Sequence, residues 1–210
     1  MANNEEAKVA IITGGGMGGG IGYGLSTAFA KAGYNLVITG RNEKKLTDAK
    51  EELERLYGIQ ALTCQADGGV EEQVAGVIAK AAETFGRIDV LINNAQASKS
   101  GVLLVDHSKE DFDLAINSGL YAAFFYMKHA YPYLKASQGS VINFASGAGI
   151  SGRLGQSSYA AAKEGIRGMT RVAANEWGPD NINCNVVCPL VMTAQLKAWR
   201  EQYPDLYEKT

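Results

Sequence analysis

Two features of this 210-residue chain have the residue types and spacing to do chemistry. Tyr159 and Lys163 stand four apart in SYAAAKEG, so on a helix they share one face and reach one site. A tyrosine hydroxyl, with an ordinary pKa of about 10, is a poor proton donor or acceptor partner near neutral pH. An ammonium beside it favours the phenolate and is expected to lower that pKa, which suits proton transfer to or from an alcohol or ketone oxygen. The spacing alone is common on solvated helix faces; its company decides. Ser146, after the apolar run SVINF, could hold the same oxygen as charge develops on it. The nearby Ser140, Ser151, Ser157 and Ser158 read as turn and cap residues.

The second feature is the run Thr13-Gly14-Gly15-Gly16-Met17-Gly18-Gly19-Gly20-Ile21-Gly22. Backbone without a Cβ can approach a phosphate closely, and the free N–H groups that open a helix face negative charge. That reading needs a strand before the loop and a helix after it. Both are expected. Val9 to Thr13 is an apolar, β-rich run, and Gly22 to Ala32 has a helical composition that stops at Gly33.

Alternating short apolar runs and amphipathic stretches continue to the end. Strands are predicted at Leu36 to Thr39, Gln60 to Cys64, Ile88 to Ile92, Val141 to Phe144 and Ile182 to Val187. Asn42 can cap a helix carrying Leu46, Ala49, Leu53 and Leu56, which Gly58 ends. Glu71 to Phe85 has Val74, Val77, Ile78, Ala81 and Phe85 on one face. A long helix is expected from Glu110 to Leu134, capped by Ser108 with Asp111 three residues on, and another from Ser158 to Trp177. Strands that are apolar throughout, separated by helices, predict an α/β fold with a parallel, doubly wound sheet. Ligands in such folds sit at the carboxyl ends of the strands.

With these motifs in register, the chain resembles the short-chain dehydrogenase/reductase family, whose glycine motif reads TGxxxGxG. Thr13-Gly14, Gly18 and Gly20 fit that motif from the strand; Gly20-Ile21-Gly22 fits it better from the helix, with a loop two residues longer than usual. The favoured register puts Gly20, Ile21 and Gly22 at the phosphates and leaves Thr13 and Gly14 to hold the strand end. The resemblance implies a Rossmann-type single domain over residues 1–210, with residues 190–210 beginning a substrate lid and a further helix and closing strand beyond. It assigns Asp67 to the adenine ring and Asn94 and Ala95 to the cofactor wall, where Gln96 replaces the family's glycine. Asn117, in AINSGL, matches the family's catalytic asparagine, which bends its helix and holds a water in a proton relay with the lysine. Ser146, Tyr159 and Lys163 complete the catalytic set, with Lys163 also bonding the nicotinamide ribose. Pro189, Val191 and Thr193 are carried over as nicotinamide contacts. Trp199, Tyr203 and Tyr207 are candidate apolar walls for a bulky, ring-containing substrate.

The implied activity is NAD(P)(H)-dependent interconversion of a secondary alcohol and a ketone, in a homodimer or homotetramer. Two rivals are a catalytically silent dinucleotide-sensing scaffold, against which the intact Asn/Ser/Tyr/Lys set argues, and a lyase or epimerase of the same fold, which usually needs a longer chain. NAD enzymes of the family usually carry an acidic residue after the second strand. Here the chain reads Val37-Ile38-Thr39-Gly40-Arg41-Asn42, and a guanidinium suits a 2′-phosphate. NADP(H) is therefore expected over NAD(H), although the glycine loop brings no second basic residue.

Composition limits the partners. Hydrophobic residues make up 46% and charged residues 20%, so the chain is not disordered. A net charge of -2 offers no basic stripe for nucleic acid. Cys64, Cys184 and Cys188 make no disulfide framework, and Cys184 and Cys188 lie in an apolar run that reads as buried thiols. No metal set is legible, because the only histidines are His107 and His129. The acidic N-terminus lacks an apolar signal region, and no run reaches the roughly eighteen apolar residues of a membrane span, so a cytoplasmic protein is expected.

Overall fold

The computed structural model describes residues 7–208; the acidic N-terminal stretch, apart from its last residues, and the final two residues of the expected lid lie outside them. Six parallel strands form one sheet: β1 (Val9–Thr13), β2 (Asn35–Gly40), β3 (Ala61–Gln65), β4 (Val90–Asn93), β5 (Ser140–Phe144) and β6 (Asn183–Val187). Their order is β3-β2-β1-β4-β5-β6, so the chain winds outward from β1 in both directions. The crevice between the carboxyl ends of β1 and β4 is where such a sheet binds its ligand.

Strand period decides which face each apolar side chain covers. Val9 and Ile11 of β1 join Val74, Val77 and Ile78 of α3 (Glu71–Phe85) and Tyr126, Met127 and Leu134 of α5 (Ala122–Ser137). Ala10 and Ile12 point the other way, to Ala30 of α1 (Ile21–Lys31) and Leu46, Ala49 and Leu53 of α2 (Glu43–Tyr57). Both faces are covered, as the continuous apolar strands predict. The caps also follow the sequence. Asn42 accepts from Lys45 N at 3.0 Å, Ser108 accepts from Asp111 N at 3.1 Å, and Gly58 and Gly86 end their helices in the left-handed conformation.

The long helix expected from Glu110 to Leu134 departs from prediction. It is α4 (Lys109–Ala115), then a wider π-type turn over Ile116–Tyr121, then α5. Periodicity cannot reveal an extra residue in one turn, and such turns gather at functional sites. Beyond β5 come a short helix that composition did not signal, α6 (Gly147–Ser151), and α7 (Ser157–Trp177). Past β6 lie α8 (Ala194–Gln202) and α9 (Pro204–Glu208). Among the described residues no helix is long and apolar enough to cross a membrane.

The glycine loop is tied at three points. Gly14 N donates to Thr39 O at 2.7 Å and Met17 N to Lys45 O at 2.8 Å, while Ser26 Oγ donates to Gly15 O at 3.0 Å. Gly22 lies closest of all: a Cβ there would stand 2.0 Å from Gly14 O. A Cβ on Gly20, the residue before α1, would meet nothing within 4 Å. Gly22→Ala should therefore destabilise the fold by about 1–3 kcal/mol through overpacking, and Gly20→Ala should not. Thermal melts of the two variants test the contrast, and equal losses would contradict it.

Candidate active site

The carboxyl ends of β1 and β4 are knotted by one side chain. Thr13 Oγ1, buried, accepts the backbone N–H of Asn94 and of Ala95, both at 2.9 Å. Asn94 Nδ2 returns to Thr13 O at 3.0 Å. One strand further, Asn93 Nδ2 donates to Asn143 Oδ1 and Asn143 Nδ2 to Thr170 Oγ1 of α7, each at 2.8 Å. Three strand ends and α7 are thereby fixed relative to one another.

Above them opens a cavity of about 980 Å³. Thr13, Gly14, Gly20, Ile21, Gly22, Arg41, Asp67, Asn94 and Ala95 line it at one end, with Gly18 and Gly19. Ser146, Tyr159, Lys163, Pro189, Val191 and Thr193 line it at the other, with Trp199 and Tyr203 of α8 and the residue after it. The structure thus brings the predicted catalytic and cofactor residues to one cavity except Asn117, and of the predicted aromatic walls Trp199 and Tyr203 but not Tyr207 line it. That residue is exposed, with its Cβ and carbonyl against Gly69, and is not among the lining residues. Within the same π-type turn, Gly119 is the buried position, and a Cβ on it would stand 2.6 Å from Gln96 Oε1. The carboxamide beside this turn therefore comes from the loop after β4, from the residue that replaces the family's glycine. Ser118 locks that loop, donating to Ala97 O at 2.9 Å while accepting from Ala97 N at 3.0 Å.

The cradle at α1 suits an anion. Gly20 caps the helix with no side chain, no acidic residue stands in the first turn, and the first N–H groups face the cavity rim. Asp67 accepts from Gly69 N at 2.9 Å, and its backbone N–H donates to Gln73 Oε1 at 2.8 Å. Sequence reading missed Lys45. Its Nζ reaches 3.4 Å from the point a Cβ on Gly18 would occupy, because the loop is hydrogen-bonded to the first turn of α2. That supplies the second cation beside the glycine loop.

At the other end Ser146 Oγ accepts from Ala148 N at 3.1 Å and so starts α6. Burial pushes the Tyr159 phenol above its ordinary pKa, while the Ser146 hydroxyl and the Arg153 guanidinium pull it back down. The expected lowering by Lys163 does not occur. Lys163, 3% exposed, donates Nζ to Phe144 O at 2.6 Å and lies 5.6 Å from the Tyr159 ring centroid. Burial drops its own pKa to about 8. The two side chains share a helix face, yet desolvation dominates both.

The cysteines also correct the sequence reading. Cys64 is buried and Cys184 half-buried, with burial pushing the Cys184 thiol up to about 11, but Cys188 is exposed and lines the cavity. Arg167 Nη2 lies 3.3 Å from its sulfur.

Comparison with known proteins agrees with this geometry. The short chain dehydrogenase family matches residues 8–204. A 12alpha-hydroxysteroid dehydrogenase of a Clostridium species is 64% identical over 208 residues, covering 97% of this chain and 80% of that protein. A 3-oxoacyl-[acyl-carrier-protein] reductase of Thermotoga maritima is 36% identical over 186 residues, covering 88% and 74%. Among solved structures, an L-sorbose reductase from Gluconobacter frateurii complexed with NADPH and L-sorbose superposes with a TM-score of 0.87 at 26% identity, covering 98% of this chain and 78% of that one. An NAD+-bound xylitol dehydrogenase gives 0.85 at 27% identity, covering 95% and 76%. The chain belongs to the short-chain dehydrogenase family. It is an NAD(P)-dependent oxidoreductase that interconverts an alcohol and a ketone.

The buried ammonium has a measurable signature without any cofactor. A lysine that ionises at about 8 when folded, and near its ordinary 10.5 when unfolded, binds fewer protons folded than unfolded between those values. Its contribution to stability therefore becomes more favourable as pH rises from about 8 to about 10.5. Lys163→Met should be most stable relative to the parent at about pH 7, an advantage that shrinks as the parent lysine loses its proton. Melting both proteins across this range tests it, and a constant difference in Tm would contradict it.

Proposed function

We propose that this chain is an NADP(H)-preferring hydroxysteroid dehydrogenase that uses Ser146, Tyr159 and Lys163 on a 12-position alcohol or ketone. The supporting observation is the substrate end of the cavity. Buried Trp199 and half-buried Tyr203, from what we read as a lid over residues 190–210, line it together with Tyr159. Tyr207 packs edge-on against Trp199, ring centroids 6.1 Å apart. A wall of rings favours a rigid apolar substrate. The relative at 64% identity is named for a hydroxysteroid.

The residues fit a bound dinucleotide. Gly14, Gly20, Ile21 and Gly22 form the open cradle for its phosphates, Asp67, Asn94 and Ala95 the wall, and Pro189, Val191 and Thr193 the nicotinamide end. When bound, the cofactor supplies or accepts the hydride. Ser146 donates its hydroxyl to the substrate oxygen. Tyr159, whose raised pKa keeps it protonated near neutral pH, gives its proton to the forming alkoxide and takes it back in the oxidative direction. Lys163 places a positive charge beside that exchange and holds the ribose.

For the 2′-phosphate, Arg41 lines the cavity at the end of β2 and Lys45 lies against Gly18; neither shows an ion pair or side-chain hydrogen bond among the described residues. Two free cations and no carboxylate at Thr39 or Gly40 favour the phosphate. The exposed Phe124 of α5 and Val172 of α7 flank a hollow also lined by Met127, Tyr131 and Trp177, which suits a homodimer or homotetramer, in the cytoplasm.

A cofactor-oxidation assay over 3-, 7- and 12-oxosteroids and small ketones tests the substrate: the 12-oxosteroid should give the highest kcat/KM, and turnover of small ketones alone would refute the reading. Tyr159→Phe should lower kcat by about 10²–10⁴ while nucleotide titration changes little. Near-normal turnover would exclude this proton donor. NADPH should exceed NADH in kcat/KM by about tenfold to a hundredfold. Arg41→Asp should reduce or reverse that ratio and Lys45→Ala should reduce it, whereas a parent enzyme favouring NADH would overturn the preference.

A further inference from the structure

His107 is half-buried in a run of exposed residues, 103–106 before it and 108–110 after it. Its ring turns inward and meets two consecutive hydroxyls at the start of α7. Nε2 lies 2.9 Å from Ser158 Oγ, and Nδ1 lies 3.3 Å from Ser157 Oγ. Phe112 of α4 packs edge-on against the imidazole, ring centroids 6.2 Å apart. A neutral imidazole offers one donor and one acceptor, and two hydroxyls can answer both. Among the described residues neither serine hydroxyl has another hydrogen-bond partner.

Ser157 and Ser158 read from the sequence as turn or cap residues, yet neither caps α7. Its N-cap is Gln156, whose side chain makes no capping bond. Ser158 is fully buried, so its hydroxyl has only what the interior supplies, and that is His107. A hydroxyl left unmet there would be costly. The loop between β4 and α4 is fastened to the same helix start twice more. Gly101 N donates to Gly155 O at 2.7 Å, and Val102 bridges Gln156. A Cβ on Gly155 would stand 3.0 Å from Gly101 Cα, so the two backbones are in close contact. Earlier in the same loop, Ala97, Ser98 and Ser100 line the cavity. The residue after Ser158 is Tyr159.

We infer that His107 is a positioning residue for the reaction. It ties the loop that walls the cavity to the helix turn that carries Tyr159, and so sets where the phenol stands relative to the reacting oxygen. His107 itself does not line the cavity, so it acts only through Ser158. Placement decides the rate of such a transfer: a donor misplaced by about 1 Å can cost about a hundredfold. The inference rests on the reading of Tyr159 as the proton donor and adds what holds it in place.

The test replaces His107 by Phe, which keeps a ring beside Phe112 but bonds neither serine, and by Gln, whose carboxamide can still meet Ser158. Assays use NADPH and the ketone that turns over fastest in the panel above. His107→Phe should lower kcat by about tenfold or more while KM and nucleotide affinity stay within about twofold. Its solvent deuterium isotope effect on kcat should rise, because proton transfer has become slower. His107→Gln should recover part of the loss. Ser158→Ala removes the same contact from the helix side and should show the same pattern, and the double variant should lose no more than the poorer single one. Ser158→Ala decides alone if His107→Phe does not fold. Full kcat with an unchanged isotope effect overturns the inference, as do losses that multiply in the double variant. A lowered Tm with kcat intact overturns it too, leaving a structural tie. If Tyr159→Phe turns over near normally, the proton-donor reading itself has failed, whatever the histidine variants do.

Discussion

Thr13 Oγ1 accepts two backbone N–H groups at once, and much of the site depends on that oxygen. It joins the end of β1 to the loop leaving β4, where the sheet's winding reverses and a crevice must open. Each amide would otherwise be a half-buried donor without a partner, costing about 1–3 kcal/mol. Because the hydroxyl fixes both, Gly14 and Ala95 face each other across the crevice, and Gly22 can seat α1 against Gly14 O. The glycine loop before α1 and the wall formed by Asn94 and Ala95 are two sides of one hydrogen-bonded junction.

The end of the cavity lined by Ser146, Tyr159 and Lys163 is organised by the next pair of polar contacts. Asn93, Asn143 and Thr170 form a buried chain across β4, β5 and α7. Apolar side chains would fill that space as well, but they would not fix the rotation of α7 about its axis. A buried polar chain does, because only one rotation lets Thr170 meet Asn143. Two turns earlier on the same helix, Lys163 comes to rest on the Phe144 carbonyl and Tyr159 comes to the cavity. The electrostatics follow from depth. The lysine is buried enough to lose much of its own affinity for a proton, so its influence on the tyrosine is smaller than proximity suggests. The tyrosine's pKa is moved instead by burial, by the Ser146 hydroxyl and by a guanidinium from another loop.

The π-type turn between α4 and α5 shows how two segments far apart in the chain come to fit one another. Gly119 leaves a notch, and the Gln96 carboxamide fills it from the opposite wall. The loop after β4 and the helix turn are then held together by Ser118 and Ala97. Neither the glutamine nor the glycine is informative alone, since each reads as an ordinary loop or helix residue. Their complementarity appears only when the two backbones are brought side by side.

Amino-acid order by itself determined what depends on near neighbours. Six parallel strands, their helical covers and the Asn42 and Ser108 caps follow from period, apolar runs and cap residues, which act over one or two turns. The shared helix face of Tyr159 and Lys163, and the placing of the glycine run between strand and helix, were legible for the same reason. Tertiary structure alone decided the contacts between segments far apart in the chain. It turned Asn117 outward and set Gln96 against Gly119, opened Cys188 to the cavity, and laid Lys45 on the glycine loop. It also brought Arg153 to the cavity, its Nε without a hydrogen-bond partner among the described residues. A local pattern fixes which way a side chain leaves its own helix or strand. What that side chain meets, and how much water it loses, depends on the packing of elements that sequence spacing does not encode.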